Sequence, residues 1–172
     1  MQALLKVFWD IALWRGGPRD VPPSRGLLLV AAALYTATSA AVSLLIDGPE
    51  SAFARGVVDL VFTAVAFWLC LAVGRRGFRL QQTLTAMFGT GTLVALPMVA
   101  VLLLAEAVGP RGPLADAVKL TLVPLQIWGV CVVAHIVRVA LDAPLVVGIA
   151  VSTTYFLVGY LLIERFFPGT VG

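Results

Sequence analysis

The sequence predicts an all-α fold: an integral membrane bundle of five transmembrane helices preceded by a short amphipathic interfacial helix. Three observations predict it. Of 172 residues, 60% are hydrophobic and 12% charged, where a soluble domain is about 45–50% apolar and about 25% charged. The mean hydropathy is +1.01, and a chain this short has too little interior to bury such an excess away from water. Finally, five apolar stretches reach the length of about 20 residues that a helix needs to cross hydrocarbon about 30 Å thick.

The first fourteen residues, MQALLKVFWDIALW, are too short to span. Gln2, Lys6 and Asp10 recur every four residues and line one edge of a helix, leaving Leu4, Phe8 and Ile11 to face elsewhere. Trp9 and Trp14 suit the headgroup layer, so residues 1–14 are expected to lie along the membrane with the apolar face in lipid.

Residues 15–25, RGGPRDVPPSR, hold three of the twelve basic residues and three of the ten prolines. Pro18, Pro22 and Pro23 break a helix, which makes this stretch a hydrated elbow between the interfacial helix and the first span. Arg15, Arg19 and Arg25 are placed to meet anionic lipid phosphates. Residues 26–172 then form the transmembrane domain, with spans over 26–46, 56–74, 83–108, 114–141 and 144–167. Alternating strands are absent, and a helix satisfies its own backbone in lipid.

The loops set an orientation. With the elbow in the cytoplasm, Lys6, Arg15, Arg19, Arg25, Arg75, Arg76, Arg79 and Arg138 fall on that side and Arg55, Arg111, Lys119 and Arg165 on the other. Basic residues accumulate on the cytoplasmic side, so the N-terminus is expected inside and the C-terminus in the periplasm of a bacterial inner membrane. Arg75, Arg76 and Arg79 join the elbow arginines as candidate contacts for lipid headgroups or a partner. Because the basic residues sit at the ends of apolar runs and form no stripe, nucleic acid is not an expected partner.

Ionisable groups inside spans are the default functional candidates. Asp59 follows Arg55 by four residues, a spacing that pairs them on one helix face. Arg138 and Asp142 share that spacing. His135, the single histidine, stands on the fourth span with Gln126 and Trp128, a candidate intramembrane polar track. Cys70 and Cys131 lie inside apolar runs, as small buried hydrophobes do. No metal-ligand spacing, nucleophile motif or dinucleotide fingerprint occurs, so neither enzyme, metal nor cofactor is expected. Small residues form rows on the first span (Ala33, Ala37, Ala41, beside Ala32, Thr36, Ala40) and on the fifth (Gly148, Ser152), which suit close helix packing within the chain, against a membrane-protein partner or against a second copy.

In the third span, TAMFGTGTLVALPMVAVLLL, Gly89 and Gly91 loosen the helix and Pro97 is expected to kink it. Gly89, seven intervening residues and Pro97, followed by Trp128 early in the fourth span and preceded by a short lead and a Pro-rich elbow, resemble the layout of the Yip1 family of membrane proteins, in its bacterial branch. Thr90 stands where that family has a tyrosine, and RDVPPS replaces the elbow motif of its eukaryotic members. The resemblance implies a five-span, non-enzymatic scaffold, adaptor or membrane organiser. The alternative is a transporter or channel-like protein for a small or lipidic molecule, using the kink and the Gln126 to His135 track.

Overall fold

A computed structural model describes residues 2–109 and 111–167. Among them every regular element is helical, and five helices are long and apolar enough to cross a membrane, the architecture of an integral membrane protein. The elements are α1 (Gln2–Ala12), α2 (Arg25–Asp47), α3 (Ala52–Val73), α4 (Leu80–Val108), α5 (Pro113–Leu120), α6 (Leu122–Leu141) and α7 (Leu145–Phe166). Short 3-10 turns at Pro18–Asp20 and Gly77–Arg79 occupy the elbow and the α3–α4 loop.

The predicted fourth span is two helices. Pro124, third in α6, has no N–H to give the Leu120 carbonyl, and its ring crowds that oxygen, so α5 ends at Leu120 and Thr121 makes a turn. The Thr121 hydroxyl and backbone N–H both donate to the Val118 carbonyl, at 2.6 and 3.1 Å, which holds the turn in place. Pro97, by contrast, lies inside a single uninterrupted α4.

Contacts between neighbours close a ring: α2 lies against α3 and α4, α4 against α6, α6 against α7, and α7 back against α3. The outer surface is apolar, with Val73, Val146 and Leu29 at 85%, 75% and 70% exposure, as lipid-facing residues are. In α4 every residue from Thr83 to Thr90 is buried. Two of its threonines fold back on it, Thr85 donating to Gln81 O and Thr90 to Ala86 O, while the buried Thr83 hydroxyl has no hydrogen-bond partner among the described residues.

α1 docks on the outside of this ring, against α4 and α6. The apolar face that the sequence assigns to lipid is divided: Phe8, Ile11 and Ala12 are buried against protein, while Leu5, Trp9 and Trp14 stay exposed. Gly89 is what admits it. A Cβ there would lie 2.5 Å from the Phe8 ring, so only glycine leaves room for that ring against α4. Gly89 is nine residues into α4, about 13 Å by helical rise, so the docking site reaches well below the helix ends.

The elbow is correspondingly less hydrated than its composition suggests, since Gly17, Pro18 and Val21 are buried. A Cβ on Gly17 would strike Val139 at 2.6 Å. Gln82 of α4 donates to the Val21 carbonyl at 2.8 Å, and Asp20 accepts from the Gly17 N–H at 2.8 Å. The small-residue rows are also placed. Thr36 and Ala40 meet Gly56 of α3, where a Cβ would come within 2.9 Å of the Thr36 carbonyl, whereas Ala33 and Ala37 face outward. Gly148 sits over the Ala134 carbonyl, and Ser152 donates to Val130 O at 2.8 Å, closing α7 onto α6.

Candidate functional site

Inside the ring lies a cavity of about 420 Å³ to which all five long helices contribute. Its walls come from the second halves of α2 and α7 and the first halves of α3 and α6, so it occupies the half of the bundle remote from the elbow. Toward the elbow the interior closes over Phe67, Leu71, Leu84, Ile136 and Val137, all buried.

The walls are mostly aliphatic and aromatic, with a polar seam on one side. Asp59, seven residues into α3 and so about 10 Å below its first residue, accepts from the Ser39 hydroxyl of α2 at 2.5 Å. Tyr35 hydrogen-bonds the same carboxylate. Behind it the Tyr35 hydroxyl is 3.4 Å from Thr63, and Thr63 is 2.7 Å from Tyr155 of α7. A carboxylate only accepts, so Tyr35 donates to Asp59, Thr63 to Tyr35 and Tyr155 to Thr63, one chain of hydroxyls crossing three helices. Rings frame it: Tyr155 stacks on Phe62 at 5.1 Å and meets Phe156 edge-on at 5.1 Å.

The pairing expected of Arg55 and Asp59 is replaced. Arg55 lies with its guanidinium 5.0 Å from the centre of the Phe167 ring, and no ion pair joins it to Asp59 among the described residues. The i, i+4 spacing permits contact on one face, but Asp59 turns inward to the hydroxyl of another helix.

The candidate polar track is likewise divided. Gln126 lines the cavity. Trp128 and His135 point to the other face of α6, where they hold the N-terminal segment: Trp128 Nε1 donates to the Ala12 carbonyl at 3.0 Å, and His135 Nε2 lies 2.7 Å from the Gly16 carbonyl. A carbonyl cannot donate, so that ring nitrogen carries the proton. Trp128 thereby caps a carbonyl that the end of α1 leaves free, and His135 holds the start of the elbow four residues beyond it. Gly89 serves the α1 seat, and Pro97 falls between cavity residues Ala95 and Met98 without lining the cavity itself.

Of the six candidate lipid-contact arginines, three converge on one carboxylate. Asp142, at the α6–α7 turn, pairs with Arg19 of the elbow and accepts from Arg76 at 3.1 Å and Arg79 at 2.8 Å. Arg79 also donates to the Ala140 carbonyl at 2.9 Å. Asp142 itself adopts the left-handed conformation that ends α6 (φ 55°, ψ 39°), which aims its carboxylate at the other two loops. The expected Arg138–Asp142 pair gives way to this cluster. Arg15, Arg25 and Arg75 are exposed and keep their place as lipid-facing candidates. Cys131 is exposed and Cys70 half-buried, so neither is the enclosed hydrophobe the sequence suggests. Among the described residues no group of three His, Cys, Asp or Glu converges on a metal-sized site.

Sequence reasoning singles out neither Tyr35 nor Tyr155. The signal available is positional: each is the eleventh residue of its helix, and a hydroxyl at mid-span must find a partner inside the bundle. Comparisons with protein-family models, curated proteins and solved structures give no match.

Proposed function

We infer that this chain is a non-catalytic integral membrane protein that binds, and in its membrane carries, a small and largely apolar molecule within the five-helix ring. The observation that supports this reading is the cavity itself: about 420 Å³, within the range of about 300–1,000 Å³ of small-molecule sites, apolar in wall and with a few convergent polar groups. Its position in one half of the bundle fits a site reached from one face of the membrane. With the basic residues cytoplasmic, that face is the periplasmic one.

The scaffold or adaptor reading, with its Yip1-like layout, ranks second. It draws on Ala33 and Ala37, which face outward and can admit a partner helix or a second copy, and on the exposed Arg15, Arg25 and Arg75, which suit anionic headgroups. The other small-residue contacts are made within the chain, which leaves the cavity as the stronger support.

Gly129 supplies the test. It lines the cavity, and a Cβ there meets only Val94 at 3.5 Å, an ordinary contact, so Gly129→Leu puts its extra atoms into the cavity without pushing helices apart. The protein in lipid nanodiscs is expected to bind neopentylbenzene in excess of protein-free discs, and Gly129→Leu to lose that excess. Equal binding by both forms overturns the reading.

A further inference from the structure

We propose that the cavity selects a small organic cation, with Asp59 as its counter-charge; this rests on the ligand-binding reading above and adds the chemistry of the ligand. The carboxylate is set about 10 Å into the bundle, and the described lining residues include no arginine, lysine or histidine. Its neighbours are hydroxyls, and they come from one side: Ser39 and Tyr35 hold it from α2. That leaves the rest of the carboxylate toward the cavity. An acid held at lipid depth by neutral donors alone carries a large desolvation cost that an incoming positive charge offsets.

The remaining walls say what kind of cation. Tyr35, Phe62, Tyr155, Phe156 and Tyr160 line the same space as Asp59, and aromatic faces attract alkylammonium groups through their quadrupoles. A hard metal ion demands about six oxygen ligands. Here one carboxylate faces a mainly aromatic and aliphatic enclosure, which suits a weakly hydrated nitrogen cation with an apolar body. The hydroxyl chain from Tyr155 through Thr63 to Tyr35 then fixes Asp59 on the wall, so that the ligand and not the carboxylate makes the adjustment.

Benzyltrimethylammonium and its neutral isostere neopentylbenzene differ by one charge at nearly constant shape. Measured by equilibrium dialysis against nanodisc-embedded protein, the cation is expected to bind wild type, and Asp59→Asn, which keeps the shape and one accepting oxygen, to weaken it at least tenfold while leaving neopentylbenzene unchanged. Retained neutral binding also shows that the variant's cavity is intact. Cation binding that Asp59→Asn does not alter, or neopentylbenzene bound by wild type with the cation excluded, overturns the charge assignment and leaves the ligand-binding reading standing. Binding of neither probe to wild type overturns both. Should Asp59→Asn bind neither, wild type decides against the anion 3-phenylpropanoate: cation bound and anion excluded sustains the proposal, and equal binding of the two ions overturns it.

Discussion

At the residue scale, Asp142 does the work of three loop contacts with one side chain. Its left-handed backbone and its carboxylate together bring Arg19, Arg76 and Arg79 to the same point. Asparagine tolerates that backbone conformation, so Asp142→Asn isolates the charge. The pairs are a third to a half exposed on the Arg19 and Asp142 sides, and exposed pairs contribute at most about 1 kcal/mol each. The variant is therefore expected to lose about 1 kcal/mol in a low-salt unfolding measurement, with the gap to wild type narrowing at high salt as the exposed charges are screened. An undiminished gap at high salt would contradict the electrostatic account. The sequence offers these arginines as lipid or partner contacts and assigns Asp142 to Arg138, because the only proximity readable along a chain is that within one helix; the structure brings all three to Asp142. Asp59 shows the same limit: Arg55 is near in sequence, and Ser39 is near only once α2 and α3 have packed.

At the scale of elements, lengths and apolarity determined where the five long helices lie, and four of the five predicted spans match single helices within a few residues. The exception turns on Pro124, whose effect depends on where the helix begins. The sequence marks Gly89 and Gly91 as loosening positions and Gly148 as a packing one, and each stands against a neighbouring helix. Gly148 is the sharpest instance, because a Cβ there would stand 2.3 Å from the Ala134 carbonyl, and backbone cannot swing aside as a side chain can. Gly148→Ala is expected to force α7 away from α6, stretch the Ser152–Val130 hydrogen bond and destabilise the bundle by about 1–3 kcal/mol. Thermal unfolding in detergent checks the loss. Gly129→Ala serves as the matched control, expected to hold or raise stability by up to about 1 kcal/mol because alanine is the better helix former and meets no obstruction.

For the whole molecule, five spans with the basic residues weighted to the elbow end lead to the expectation of a cytoplasmic N-terminus and a C-terminus on the opposite face. A reporter active only outside the cytoplasm, joined after Gly172, is expected to be active, and the same reporter ahead of Met1 silent. The reverse pattern would invert the sidedness of the cavity as well. Of this cavity only Asp59 and Gln126 were marked beforehand, as polar groups within spans, since its space is a property of five helices at once and leaves no periodic mark on any of them. What the chain did disclose was its solvent, through composition, and from that solvent the need for helices.

The seat of α1 carries a consequence for biogenesis. α1 and the elbow rest on Gly89, Trp128 and His135, which are synthesised later than they are, the last two after three of the spans. α1 can therefore take its full seat only after α6 has been made, and before that Trp9, Trp14 and the elbow arginines are suited to hold the segment at the membrane surface.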